Sequence, residues 1–126
     1  MTIQPKENLS GTKSIITIQN YLGGLYYFTA DEVEFKGNNV FLIEGKHSKT
    51  KSLPSLEDIK DGLLKMILFT NLEDVKADRE KYKPIAVLKL TVENHFNENQ
   101  LSSSQKDILK HLGEAAMLNN FQIMLL

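Results

Sequence analysis

Hydrophobic positions along this chain change their spacing several times, and each change predicts an element. Ile15-Ile16-Thr17-Ile18 is a β-branched run of the kind that forms a strand. Asn20-Tyr21-Leu22-Gly23-Gly24 supplies turn chemistry before a second strand over residues 25–29. Two further strands are predicted at 33–36 and 40–46, joined by Gly37-Asn38-Asn39, residues that tolerate the positive φ of a tight hairpin. Apolar Ile59, Leu63, Met66 and Ile67 then fall at helical spacing, which predicts a helix from a Ser55 N-cap to about Thr70. On it Glu57, Lys60, Asp61 and Lys65 read as the outer, solvated side.

A charged connector over 73–83 leads through Pro84 into 85–92, a nearly continuous apolar run expected of a strand buried on both faces. After a polar loop, 102–118 reads as a second helix with Ile108, Leu109, Leu112, Ala115 and Ala116 inward, and the apolar run 121–126 as a last strand. The order is a β-meander, then helix, strand, helix, strand. It implies an α/β (α+β) fold, a mixed β-sheet with a hairpin flanked by helices. Residues 1–13 are polar, with Pro5, Asn8, Ser10 and Gly11, and read as a flexible lead-in to a single core over 14–126. A chain of 126 residues is long enough for one sizeable core and too short for two.

Composition narrows the chemistry. With no cysteine, disulfides, thiolate catalysis and thiolate metal sites are excluded, which fits a reducing cytoplasm, and any metal must be held by oxygen or imidazole. No signal-peptide pattern or spanning apolar stretch is present, so a cytoplasmic protein without a membrane partner is expected. Lys and Arg number 15 against 16 Asp and Glu, a net charge of -1, which is not the basic footprint of a free-standing nucleic-acid binder. Positive charge is concentrated in Gly45-Lys46-His47-Ser48-Lys49-Thr50-Lys51-Ser52.

That local concentration adjoins the chain's most distinctive pattern. Val40-Phe41-Leu42-Ile43 runs directly into Glu44-Gly45-Lys46, and residues two apart on a strand share a face, so Glu44 and Lys46 project together. Asp31 heads the preceding strand. A hairpin lays the head of one strand beside the tail of the other, and Asp31 shares parity with Val33 and Phe35, the expected core side. Glu32, Glu34 and Lys36 alternate onto the opposite, solvated side, which ranks the competing triplet Glu34-Phe35-Lys36 well below Glu44-Gly45-Lys46. Two converging carboxylates suit Mg²⁺, which is typically held by one or two carboxylates, waters and phosphate oxygens. Such an ion polarises a phosphoryl group and activates a bound water, and Lys46 can offset the charge that develops on phosphorus. The plain alternative for these charges is a salt bridge at a strand end.

The stretch Phe28-Thr29-Ala30-Asp31-Glu32-Val33-Glu34, with Val40-Phe41-Leu42-Ile43-Glu44-Gly45-Lys46-His47-Ser48, resembles the catalytic hairpin of PD-(D/E)XK nucleases. Leu53-Pro54-Ser55-Leu56-Glu57-Asp58-Ile59-Lys60-Asp61-Gly62-Leu63-Leu64-Lys65-Met66 resembles the helix that follows in certain type II restriction endonucleases. The resemblance spans residues 24–91 and implies Asp31 and Glu44 as ligands of Mg²⁺ and Lys46 as the catalytic lysine, in an endonuclease acting on double-stranded DNA. Ala30 stands where the family has its name-giving proline. Members also carry a helix before the first core strand, which the polar lead-in does not offer. The chain is therefore expected to be a C-terminal catalytic part of a longer restriction enzyme, or a subunit completed by a partner segment, with a homodimer as the form that cuts both strands. The other readings are a structure-specific repair nuclease and a non-catalytic remnant that keeps the fold and binds DNA or a partner.

The remaining polar residues are weaker candidates. Lys49, Lys51 and Lys60 can contact DNA phosphates or simply face water, and on the helix Lys60 and Lys65 can both face the substrate groove, with a solvated helix face as the preferred reading. His47 lies opposite Glu44 and Lys46 by parity and is expected to be hydrogen-bonded or solvated. His95 and His111 lack metal-ligand spacing.

Overall fold

Four strands and two long helices form the framework that positions Glu44 in this computed structural model, which describes residues 2–3, 14–19, 25–72, 75–77 and 80–126. In chain order the elements are β1 (Thr2–Ile3), β2 (Ser14–Gln19), β3 (Leu25–Ala30), β4 (Glu32–Lys36), β5 (Asn39–Ser48), α1 (Leu56–Thr70), β6 (Lys76–Ala77), β7 (Glu80–Lys81), β8 (Lys83–Val92), a 3₁₀ turn at Glu98–Gln100, α2 (Ser103–Asn119) and β9 (Gln122–Leu125). The fold is mixed α+β, with a mixed sheet in the order β4-β5-β8-β9 and a second sheet in the order β3-β2-β1-β6-β7. Among the described residues no helix is long and apolar enough to cross a membrane.

The strands expected to form one meander divide between these sheets. β2 and β3 pair antiparallel in one and β4 and β5 antiparallel in the other, and the chain passes between them at Asp31, the single residue separating β3 from β4. Two parts of the chain read as connections also contain short strands. Thr2–Ile3 of the lead-in pairs with β2, and β6 and β7 lie within the charged connector. At two residues each, these strands are too short to show a period of two. The expected turn at 20–24 and most of the lead-in, 4–13, lie outside the described residues.

The four-stranded sheet follows from simple local rules. Gly37 takes φ +57 at the first position of a two-residue turn, closing the hairpin between Lys36 and Asn39. β5, β8 and β9 are mutually parallel, and the connections between them are the helices α1 and α2. Val33, Val40, Leu42, Ala86, Leu88 and Leu90 share one sheet face and form a single core with Ile59, Met66 and Phe69 of α1 and Leu112 and Ala116 of α2, so both helices lie on that face. Each fully buried side chain of Leu size contributes about 1.5–3 kcal/mol relative to exposure. On the opposite face Ile43 and Val87 are also buried, β3 contacts β5, and Glu32 pairs with Lys89 at 3.1 Å. That face is therefore not the solvated surface its charges predict.

Both helices begin where expected. Ser55 Oγ accepts from the Asp58 backbone N–H at 3.1 Å, with Glu57 and Asp58 in the positive first turn. Ser102 and Gln105 form a complete capping box, and Asn120 ends α2 in the left-handed region at φ 59. The five residues expected to face inward from α2 do so, Leu112 and Ala116 buried and Ile108, Leu109 and Ala115 packed against the core.

Helix α1 is rolled relative to the expectation. Its buried stripe is Ile59, Gly62, Met66 and Phe69, while Ile67, expected inside, is 57% exposed. Ile67 sits about 100° round the axis from Met66. Gly62 sets the roll, because a Cβ at this position would lie 2.5 Å from Cδ1 of Leu88, which is fully buried. Gly62→Val is therefore expected to overpack the contact and lower stability by about 1–3 kcal/mol. Urea unfolding of the purified variant checks this, and a midpoint equal to that of the parent would remove the close approach from the account.

Candidate active site

The hairpin register carries Asp31 to Glu44. Glu32 pairs with Ile43 at the end of the β4–β5 ladder, and Asp31, in the bend just before β4, donates its N–H to the Ile43 carbonyl at 3.1 Å. Asp31 Oδ2 accepts from the Gly45 backbone N–H at 2.9 Å, which fixes the aspartate against the strand that bears Glu44 and Lys46. Lys46 Nζ lies 3.7 Å from Glu44 Oε2. The structure thus brings together the three residues singled out from the sequence, with Glu44 and Lys46 on the sheet face covered by α1 and Asp31 tied to Gly45 between them.

Glu44 is the buried member of the group, 8% exposed and the only polar residue among those fully buried in the described part of the chain. Burial pushes its carboxyl above the ordinary value of 4.5, the neighbouring Asp31 charge raises it further, and Lys65 and Lys46 pull it back. A hydrogen bond between the Glu44 and Asp31 carboxyl groups also favours the protonated form. Two carboxyl groups held this close while one is desolvated form a site that a cation would relieve. The donor set suits Mg²⁺, with two carboxylates from the protein and room for waters and a phosphate oxygen. Among the described residues no three or more His, Asp or Glu side chains converge to cage an ion by themselves.

A cleft of about 320 Å³ opens over Glu44 and Lys46, and its other wall is α1, through Asp61, Leu64, Lys65 and Leu68. Lys65 and Asp61 thereby join the site from a part of the helix read as solvated. Lys49 and Lys51 are exposed in the loop beyond β5 and do not line the cleft, and Lys60 is exposed beside Glu57 at 3.8 Å. His47 is on the opposite face, its Nδ1 2.6 Å from Thr91 Oγ1 and its Nε2 3.3 Å from Glu93. His111 pairs with Glu114 on α2, and His95 occupies a positive-φ position in the loop after β8. The charged members of the competing triplet, Glu34 and Lys36, lie on the face away from α1, with Lys36 over the Phe41 ring.

Comparison with protein-family models, with curated proteins and with solved structures finds no match.

Proposed function

We propose that this chain is the catalytic core of a Mg²⁺-dependent endonuclease that hydrolyses phosphodiester bonds in double-stranded DNA, with a restriction-endonuclease-like sheet as its framework. The observation that carries the reading is the junction of Asp31, held at Gly45, with buried Glu44 and Lys46, which line a cleft. Asp31 and Glu44 would hold the ion, with Gly45 N–H keeping the aspartate in place. When bound, Mg²⁺ supplies polarisation of the phosphoryl group and activation of the attacking water. Lys46 meets the negative charge that grows on the phosphoryl oxygens, an interaction worth most where water is displaced. A salt bridge at a strand end explains the pair less well, because Glu44 is buried, and burying a carboxylate for one contact at 3.7 Å costs more than an exposed pair returns. A homodimer is included in the proposal, by analogy with enzymes that cut both strands.

The direct test incubates supercoiled plasmid with the protein in Mg²⁺ and in EDTA. Nicking or linearisation is expected only with the metal, and is expected to be lost in Asp31→Ala while His95→Ala and His111→Ala retain it. Cleavage that persists in EDTA or in Asp31→Ala, or its absence from the parental protein in Mg²⁺, would overturn the proposal.

A further inference from the structure

The sequence pattern prefers a solvated helix face for Lys65 over the substrate groove, and the structure has it half-buried, lining the cleft with Glu44 and Lys46. We propose that Lys65 is a phosphate-binding residue of this site, the helix-borne counterpart of strand-borne Lys46, with Leu64 and Leu68 forming the apolar wall that meets the deoxyribose of the same nucleotide. The inference rests on the nuclease reading and adds the substrate contacts of α1 to it.

Three observations carry it. Leu64 and Lys65 each lie three or four residues from both Asp61 and Leu68, so the cleft is bounded by a continuous strip of α1. That strip is held in place by the core: Gly62 lets α1 close on Leu88, and Leu88 is the neighbour of Glu44 in the β5–β8 ladder. Lys65 is thus carried on a fixed element beside the carboxylates. Lys65 from α1 and Lys46 from β5 line the same cleft as Glu44, so the two cations flank the place where a phosphate oxygen would join the metal.

The wall composition identifies the ligand class. Leu64 and Leu68 are 62% and 41% exposed directly beside the charged groups. A nucleotide presents an anionic phosphate and an apolar sugar edge side by side, matching the lysines and leucines that line this cleft together. A free inorganic anion would use the lysines alone.

The test measures single-turnover cleavage of a duplex oligonucleotide in Mg²⁺ at saturating protein, and binding of the same duplex in Ca²⁺. Lys65→Gln, and Lys65→Met which keeps the packed stem, are expected to slow cleavage about 10- to 100-fold, the loss of one charge-assisted hydrogen bond. Lys65→Arg is expected to recover most of the rate, and Lys110→Gln, exposed on α2, to match the parent. Leu64→Ser with Leu68→Ser is expected to weaken duplex binding while leaving inhibition by inorganic phosphate unchanged. Parental rates in Lys65→Gln and Lys65→Met, with the parent active and Lys46→Ala inactive, would overturn the role of Lys65 and leave the nuclease reading intact. A parental chain that neither binds nor cuts the duplex overturns both.

Discussion

Glu44→Gln is expected to abolish Mg²⁺ binding and DNA cleavage while making the metal-free protein more stable at neutral pH. The two effects share one cause. Glu44 is buried beside Asp31, and both burial and the like charge push its carboxyl above the ordinary 4.5. The folded state therefore holds the Glu44 proton over a pH range in which the unfolded state has released it. By linkage, the stability this proton contributes is fully present below about pH 4.5 and is lost as pH rises through the higher folded value. At neutral pH the fold bears the cost of a charged Glu44, and the neutral isostere removes it. The contact with Lys46 at 3.7 Å is lost in the exchange, but a pair of this kind offsets little. A net gain of about 0.5–2 kcal/mol is expected, the range usual when a functional site is relieved of strain.

Thermal unfolding across pH with and without Mg²⁺ checks both halves. The variant's advantage should grow as pH rises from 4 toward 7 and vanish in acid. Saturating Mg²⁺ should raise the midpoint of the parent alone, by about 2.7 kcal/mol at a hundredfold excess over Kd. A variant less stable than the parent at neutral pH, or still stabilised by Mg²⁺, would mean that Glu44 is a structural residue held by Lys46.

The hairpin and its charges were legible in the sequence because each depends on short-range rules. Gly37-Asn38 fixes the turn, the turn fixes the ladder from Lys36 and Asn39 back to Glu32 and Ile43, and that register carries Asp31 to the end of β5 that bears Glu44 and Gly45. Period-two parity likewise placed His47 on the far face, where Thr91 and Glu93 hold it. The caps of both helices were legible for the same reason, a serine side chain needing only the N–H three residues on.

The features that were not legible depend on residues far apart or on the lack of a side chain. Counting apolar positions cannot register that the missing side chain of Gly62 lets α1 approach Leu88 of β8, so the pattern predicts Ile67 as core and passes over Phe69. The same roll turned Lys65 and Asp61 toward the cleft. The ion pair of Glu32 with Lys89 joins strands 57 positions apart, and nothing in the local pattern of β4 announces it. Division of the strands into two sheets at Asp31 is a one-residue bend, which β-branched runs on either side do not encode. Asp31 owes its place at the site to that bend as well as to its parity.

Lys46→Ala is expected to lose cleavage by a factor of about 10²–10³ while retaining duplex binding in Ca²⁺, the scale typical for removing one preorganised group that meets transition-state charge. Ca²⁺ is an oxygen-seeking ion that can occupy a Mg²⁺ site without necessarily supporting hydrolysis, so binding and chemistry separate in this assay. The position of Lys46 argues for chemistry: it follows an apolar strand, sits one-fifth exposed beside buried Glu44, and faces the cleft. A lysine there that served only backbone attraction would instead weaken binding and reduce the salt dependence by about one unit, with the rate at saturating protein nearly unchanged. A lysine that served only to neutralise Glu44 would alter stability and metal affinity without DNA, since removing it leaves the Glu44 carboxyl higher still. Single-turnover rates, salt titrations of Ca²⁺-supported binding and calorimetry of metal binding distinguish the three. A variant that cuts bound DNA at the parental rate removes Lys46 from the chemistry and returns the pair to a partly buried salt bridge.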